Sequence, residues 1–265
     1  MAAAKAAFII TNGGYTKMKY QYKIPVKKYI KLYDLIMDNN FHTLIAGATG
    51  SGKSVLLNSS IIYEMNNNTP ASVQFIFFDP KKIELIQYKN TRYCLKFCTE
   101  IDDILYTMEQ LRATMEARYN KMIKAGERFS SDKKIIVVID ELADLLTGYE
   151  KKSKKFENLF IVMLQKCRAA NIKFLVATQQ PARSILKNSI TLNLTNRVAL
   201  RTTSAIESRQ IINTAGAEAL PKYGFCIVNS PEYMQPQKFE ISLTPDSLIQ
   251  ESCQAWSAGG YMVIK

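Results

Sequence analysis

One short segment constrains the fold of this chain more than any other. Residues 47–54 read Gly-Ala-Thr-Gly-Ser-Gly-Lys-Ser, a complete G-x₄-G-K-[ST] phosphate-binding loop. A strand pattern, FHTLIA at 41–46, precedes it directly, and a helical pattern, SVLLNSSIIYEM at 54–65, follows it. Because such a loop functions between a strand and the first turn of a helix, the segment predicts an α/β fold that binds a nucleoside triphosphate.

The residue types in this loop each have a chemical reason. Glycines let backbone N–H groups turn toward the β- and γ-phosphates beside a helix N-terminus, which favours anions. Lys53 is predicted to place a positive charge on those phosphates, and the Ser54 hydroxyl is predicted to reach Mg²⁺. The predicted nucleotide contacts are Gly47, Ala48, Thr49, Gly50, Ser51, Gly52, Lys53, Ser54 and Val55.

A second element is an apolar strand that ends in two carboxylates. It reads Ile-Ile-Val-Val-Ile-Asp-Glu over residues 135–141. We expect Asp140 to hold Mg²⁺ through a water molecule and Glu141 to act as the general base on the attacking water. An apolar strand followed by an acid is common and is also explained by a helix cap, but the phosphate-binding loop upstream favours the catalytic interpretation.

A third element is the segment FLVATQQP at 174–181, in which a strand pattern ends in a polar amide. Gln179 is predicted to contact the γ-phosphate and to report its hydrolysis to the rest of the fold. A Thr-Gln pair at a strand end is usually only a turn. The interpretation depends on this strand following the Asp-Glu strand by a single helix.

Alternation of strand and helix patterns extends along most of the chain and predicts a mostly parallel sheet. Several strand patterns are continuous apolar runs, as expected for strands covered on both faces. The predicted strands are 41–46, 73–79, 134–139, 172–177, 197–201 and 224–228, and the predicted helices are 54–65, 100–124 and 156–170.

Composition narrows the partner and the compartment. Lys and Arg number 35 against 23 Asp and Glu, a formal net charge of +12, which favours nucleic acid or a lipid surface as partner over a merely basic soluble protein. Neither a secretory signal nor an apolar run long enough to span a membrane is predicted. The five scattered cysteines predict reduced thiols rather than a zinc site, and we expect a cytoplasmic protein without membrane insertion.

These elements in this order resemble the motor domain of the FtsK/SpoIIIE family of DNA translocases. The similar segments are FHTLIAGATGSGKSV, FIFFDPKKIEL, MEARYNKM, IIVVIDELADLL, LQKCRAANIKFLVATQQP and NRVALRTTSAIESRQIINTAGAEALPKYGFCIV, within residues 22–230. The resemblance implies a RecA-like P-loop NTPase fold, ATP with Mg²⁺ at subunit interfaces, and a homo-hexameric ring around duplex DNA. We predict a basic lead-in over 1–40, the motor domain over 41–243 and a tail over 244–265.

The resemblance also implies roles for single residues. Lys53, Ser54, Asp140, Glu141 and Gln179 match the family's nucleotide motifs. Arg168 matches the position of a trans-acting arginine that reaches the neighbouring subunit's γ-phosphate, although a surface or interface salt bridge explains it equally well; Arg201 is a second candidate. Asp79-Pro80-Lys81 matches a family motif whose role is not assigned. The membrane-spanning region and winged-helix module of family members have no counterpart here, so we expect a motor alone.

Candidate DNA contacts follow from the resemblance, because loops in this neighbourhood of family members face the pore. The stretch GYEKKSKKF at 148–156 carries Lys151, Lys152, Lys154 and Lys155 before the next predicted helix. Basic residues spaced for phosphates suit a motor that does not read sequence, although a run of lysines is often only a solvated loop. A second candidate is KAGERFSSDKK at 124–134. For the basic lead-in, DNA, a membrane-bound partner and the adjacent subunit all stay open as contacts.

The sequence predicts an ATP-hydrolysing translocase of double-stranded DNA and leaves three rivals open. A conjugation-type coupling ATPase that pumps single-stranded DNA would share the same motor chemistry. A protein-export ATPase would hydrolyse ATP without stimulation by DNA, and the net charge is mild evidence against it. A scaffold that binds ATP without hydrolysing it is disfavoured by the intact Asp140-Glu141 pair.

Overall fold

A computed structural model describes residues 27–242 and 244–257 of the chain. The described residues form an eight-stranded sheet of order β3-β2-β4-β5-β1-β6-β7-β8. The strands are β1 Thr43–Ala46, β2 Val73–Phe78, β3 Cys94–Cys98, β4 Lys134–Ile139, β5 Ile172–Thr178, β6 Asn196–Ala199, β7 Phe225–Asn229 and β8 Gln237–Glu240. β1 to β6 pair in parallel, and β7 and β8 extend the sheet beyond β6 as antiparallel strands.

Helices cover both faces of the sheet. They are α1 Lys27–Met37, α2 Lys53–Asn67, α3 Ile101–Ala125, α4 Leu142–Thr147, α5 Lys151–Lys166, α6 Asn188–Thr191, α7 Ala205–Ile212 and α8 Asp246–Ala255. Because side chains alternate along a strand, Leu44 packs in the core on one face and Ile45 in the core on the other. This explains why the central strands are continuously apolar in the sequence: both of their faces are buried.

All six predicted strands are present, but β3 and β8 were not predicted. β3 lies at one edge of the sheet with two exposed residues, and β8, with the sequence QKFE, lies at the other edge with three exposed residues. An edge strand needs no continuous apolar run, because it does not have to bury both faces. The Cys-x₃-Cys segment at 94–98 is therefore an edge strand.

The predicted start of the helix at residue 156 was wrong, because α5 begins five residues earlier at Lys151. The four lysines obscure the start of the buried face of the helix, whose members recur every three or four residues at Ser153, Phe156 and Phe160. The lysine-rich stretch is therefore the first turns of a helix, and only residues 148–150 precede it.

Helices close to both ends of the described chain pack on the same core. Leu32 and Ile36 of α1 are fully buried, and Ile249 and Cys253 of α8 are nearly so. The predicted domain boundaries at 40 and 243 stay predictions, and residues 1–26 of the predicted lead-in lie outside the described residues. Within the described ranges, no helix combines the length and apolar character that crossing a bilayer requires.

Candidate nucleotide site

Three predicted motifs meet at the carboxyl edge of the sheet. β4, β5 and β1 are neighbours, and each is followed at once by one of the motifs. Asp140 and Glu141 follow β4, Gln179 follows β5, and the phosphate-binding loop follows β1. Since parallel strands end at the same edge, a sheet order that could not be read from the sequence brings these residues together.

The phosphate-binding loop depends on its glycines. Gly50 and Gly52 have φ angles of 73° and 96°, in the left-handed region that favours glycine. A β-carbon on Gly47 would lie 2.7 Å from Leu200 Cβ and 2.8 Å from Ser51 Oγ. The loop leads into α2 through Gly52, which has no side chain to cap the first N–H groups of the helix. This N-terminus therefore suits an anion.

Lys53 and Asp140 form a buried ion pair at the centre of the site. Lys53 Nζ donates to Asp140 Oδ1 and to the Asp140 carbonyl, both at 2.9 Å. The side chains are 4% and 3% exposed. Because charges this deeply buried need partners, each residue holds the other in place at the end of β4. Ser54 is the next residue of α2 and is partly exposed.

Glu141 is held by several donors. Its Oε1 accepts from the Thr178 hydroxyl at 2.6 Å, and its Oε2 accepts from the Gln179 N–H at 3.0 Å. The Ala143 N–H donates to it at 3.4 Å, which makes Glu141 the N-cap of α4. Glu141 thus has the capping role that an acid after a strand often has, and it also faces the predicted sensor segment. Thr178 was not singled out from the sequence, although it stands directly before Gln179.

Gln179 connects β5 to the phosphate-binding loop. Its Oε1 accepts from the Thr49 hydroxyl at 2.7 Å. One side-chain hydrogen bond therefore links the phosphate-binding loop to the end of β5, and the same residue's N–H binds Glu141.

A lysine of previously unassigned role completes this edge. Lys81 Nζ lies 4.0 Å from Glu141 Oε2 and 3.4 Å from Asp144 Oδ2. The motif Asp79-Pro80-Lys81 was visible in the sequence, but its proximity to Glu141 depends on β2 lying beside β4.

The two arginine candidates lie at opposite ends of the parallel strands: Arg201 at the carboxyl edge of the sheet and Arg168 at the amino edge. The carbonyl of Arg201, just after β6, accepts the Ala48 N–H at 2.9 Å. Arg201 also lines a cleft of about 270 Å³ together with phosphate-loop residues, Glu218 and Lys222. Arg168 follows α5, is exposed, and donates to the Asn40 carbonyl at 3.0 Å at the amino edge. The length of β5, roughly 20 Å, separates Arg168 from Gln179.

The lysines of α5 are exposed but mostly paired. Lys152 Nζ lies 2.7 Å from Asp102 Oδ2, Lys155 Nζ lies 2.9 Å from Glu109 Oε1, and Lys154 Nζ lies 3.4 Å from Glu157 Oε2. In the second predicted cluster, Lys134 turns inward and binds Glu64 at 2.9 Å, so its charge does not face solvent. These ion pairs reduce the net positive charge that either cluster presents.

A third basic surface was not visible in the sequence. An open groove of about 720 Å³ is lined by four cations and, among the residues that the structure describes, by no carboxylate. The cations are Arg183, Lys187, Arg197 and Arg209. Lys187 pairs with Glu157 at 2.7 Å, and Arg197 donates to Asn213 Oδ1 at 3.1 Å. Because β6, α7 and the segment before α6 contribute separate members, no run of basic letters marks this groove.

Comparison with known sequences identifies related proteins. Residues 17–134 match the model of the FtsK/SpoIIIE family. The DNA translocase FtsK of Corynebacterium efficiens is 30% identical over 238 residues, which cover 81% of this chain and 25% of that protein. The DNA translocase FtsK of Pseudomonas putida is 32% identical over 257 residues, which cover 83% of this chain and 30% of that protein. The chain thus spans less than a third of the length of these curated relatives.

Solved structures share the fold. The conjugation coupling protein TcpA of pCW3, determined with ATPγS, aligns with a TM-score of 0.71 at 23% identity, covering 78% of this chain and 62% of that one. The cytoplasmic domain of the type VII secretion ATPase EccC of Thermomonospora curvata aligns with a TM-score of 0.66 at 20% identity. The alignment covers 83% of this chain and 28% of that one. The predicted fold class, an α/β P-loop NTPase of RecA-like type with a mostly parallel sheet, is confirmed.

Proposed function

This chain belongs to the FtsK/SpoIIIE family, and on that premise we propose that it is an ATP-hydrolysing motor that translocates double-stranded DNA. The observation that carries the proposal is the meeting of Lys53, Asp140 and Glu141 at one edge of the sheet. A buried cation, a metal-binding acid and a second acid beside a phosphate-binding loop are the parts that ATP hydrolysis requires.

ATP binds along residues 47–55 in this proposal. The α2 N-terminus and Lys53 meet the phosphates, and the cleft beside Arg201 extends from the loop. The oxygens of Ser54 and Asp140 fit Mg²⁺, which prefers hard oxygen ligands. Asp140 offers a second carboxylate oxygen besides the Oδ1 that Lys53 binds. When bound, Mg²⁺ neutralises phosphate charge during the transfer.

Glu141 is the general base. Thr178 and the Gln179 N–H orient its carboxylate, so that it can accept the proton of the water that attacks the γ-phosphate. Gln179 senses the phosphate through the same short segment, because its side chain contacts Thr49. Hydrolysis at the phosphates is thereby linked to movement of β5 and the chain that follows it.

We assign Arg168 to the neighbouring subunit's site, within the homo-hexameric ring that the family resemblance implies. Arg168 is exposed at the amino edge, farther from its own phosphate-binding loop than an arginine side chain reaches. Ring packing of the amino edge of one subunit against the carboxyl edge of the next would bring it to the γ-phosphate. Arg201, beside Ala48, then belongs to the nucleotide site of its own subunit.

Duplex DNA is the proposed substrate, and phosphates are the groups bound. The four-cation groove supports this because no carboxylate lines it within the described part of the chain, and the net charge of +12 agrees. Lys151, Lys152, Lys154 and Lys155 remain proposed contacts, on a helix rather than a loop. Lysine and arginine contacts to phosphates do not distinguish sequences, as suits a translocating motor.

Steady-state ATP hydrolysis with no nucleic acid, duplex DNA or single-stranded DNA tests the proposal, with Glu141→Gln as the inactive control. We expect strong stimulation by duplex DNA and its loss in the control. Preference for single strands would instead favour a conjugation-type coupling ATPase. A rate indifferent to both polymers would contradict the DNA motor and favour a protein-export ATPase.

A further inference from the structure

The loop after β2 lies beside the proposed catalytic acids. Phe78, the last residue of β2, pairs with Ile139, the last residue of β4. Asp79 and Asp140 therefore leave the sheet side by side. The side chain of Asp79 is fully buried, which is unusual for a carboxylate.

Asp79 determines the shape of this loop. Its Oδ2 accepts the Leu85 N–H at 3.0 Å, and its carbonyl accepts the Lys82 N–H at 3.1 Å. Its Oδ1 has no hydrogen-bond partner within the described part of the chain, and Lys82 has a φ of 60°. A buried carboxylate with an unpartnered oxygen and a left-handed non-glycine residue both cost free energy, and such costs concentrate at functional sites.

This loop directs two consecutive lysines to different places. Lys81 turns toward the acids, with Nζ 3.4 Å from Asp144 Oδ2 and 4.0 Å from Glu141 Oε2. Lys82 turns to the surface, where Nζ lies 2.6 Å from Glu100 Oε1. The two side chains have the same chemistry and similar exposure, 43% and 56%. Position relative to Glu141 is therefore what distinguishes them.

We infer that Lys81 is a positioning residue for Glu141, an inference that rests on the proposed ATPase function. Thr178 holds one oxygen of Glu141, and the Lys81 ammonium attracts the other. Without that charge, Oε2 keeps, within the described chain, only the neutral Gln179 N–H as a partner, and the proton acceptor is less often aligned with the attacking water. Because Lys81 acts through Glu141 and not on ATP, its loss should lower kcat and leave KM for ATP unchanged.

The test compares Lys81→Met with Lys82→Met, two isosteric removals of charge from adjacent residues. ATPase kcat and KM are measured with saturating duplex DNA, thermal melting reports folding, and a fluorescent ATP analogue reports binding. We expect Lys81→Met to lower kcat roughly tenfold at unchanged KM, since misplacement of a catalytic group is costly. Lys82→Met should behave as wild type, and Lys81→Arg should recover most of the rate because it restores the charge.

Asp144→Asn separates the two partners of Lys81. If Lys81 served only its ion pair with Asp144, this variant would lose as much kcat as Lys81→Met, and the inference would be wrong. Equal kcat for Lys81→Met and Lys82→Met, or a rise in KM without a fall in kcat, would also overturn it. In each of those cases an active wild type leaves the proposed function standing. An inactive wild type would overturn the proposed function and this inference together.

Discussion

The carboxyl edge and the amino edge of the sheet, where the parallel strands end and begin, differ in the partners of their charged residues. At the carboxyl edge, cations pair with carboxylates: Lys53 with Asp140, and Lys81 with Asp144. At the amino edge, the buried Lys173 binds backbone carbonyls instead, and Lys134 divides its hydrogen bonds between the Met37 carbonyl and the Glu64 carboxylate. Lys173 donates to the carbonyls of Asp38 and Phe41.

The difference in partners decides whether a cation can change partner or only anchors the chain. A cation paired with a carboxylate can transfer to a phosphate, because carboxylate and phosphate are both anions that accept the same donor. A cation bound to carbonyls at the start of strands ties loops to the sheet and has no such alternative partner. Arg168 differs from Lys173 at the amino edge, since it is exposed and donates to the Asn40 carbonyl at the surface.

The largest effect is expected at Arg168. Arg168→Ala should lower ATP hydrolysis by about a thousandfold while ATP still binds, because a trans-acting arginine stabilises charge in the transition state. Lys166→Ala, an exposed residue at the end of α5, is the matched control and should stay active.

Mixing variants tests whether Arg168 acts in trans. Glu141→Gln subunits keep Arg168, and Arg168→Ala subunits keep an intact site, so mixed rings should recover activity that neither variant has alone. If no recovery occurs in rings that demonstrably contain both variants, Arg168 is not shared between subunits. The amino edge then contributes no arginine to the neighbouring site.

Next in size are the buried lysines, one from each edge. Lys53→Met leaves the Asp140 carboxylate buried without its partner and should lower the free energy of unfolding by about 3 kcal/mol, with loss of ATP binding. Lys173→Met leaves only uncharged acceptors without a donor and should lower the free energy of unfolding by about 1–2 kcal/mol, with ATP binding retained. Urea unfolding and binding of a fluorescent ATP analogue measure both quantities. Equal loss of ATP binding in the two variants would contradict the division between edges.

His42, the one histidine of the chain, gives the amino edge a dependence on pH. Burial, with the nearby charge of Lys173, lowers the pKa of His42 from 6.5 to about 3. The unfolded chain therefore binds a proton below pH 6.5 that the folded chain does not bind until about pH 3. Stability contributed by His42 is lost as the pH falls through this window, by roughly 1.4 kcal/mol per pH unit.

His42→Gln removes this titration. Urea unfolding of both proteins at pH 7, 6 and 5 should show a shallower loss of stability in the variant, with a difference in slope equal to the histidine contribution. Identical slopes would mean that His42 is protonated in the folded protein and is not sealed from solvent as the structure describes.

The smallest effect concerns the two basic surfaces. Arg209→Ala in the groove should weaken duplex binding and reduce the slope of log affinity against log salt by about one. Lys152→Ala should change that slope less, because Lys152 already pairs with Asp102. Binding of a labelled duplex over a series of salt concentrations measures both slopes. A larger change for Lys152 would move the DNA contact from the groove to α5.

Local patterns in the sequence predicted the phosphate-binding loop and the Asp140-Glu141 strand correctly as structures. Each is a continuous segment whose neighbours in the chain decide its conformation. The start of α5 was missed because Lys151 to Lys155 look like a solvated loop until their packing on α3 is known. The edge strands β3 and β8 were missed because they bury too little surface to need an apolar run.

The sequence by itself determined the residues of the proposed nucleotide site, since the glycines, Lys53 and the two acids lie in short motifs that carry their own geometry. Only the tertiary structure decided which distant residues join them. The order of the strands places Lys81 beside Glu141, Arg168 at the opposite edge, and four scattered cations around one groove. The physical reason is that sheet order depends on the packing of the whole core, whereas a motif depends only on adjacent residues.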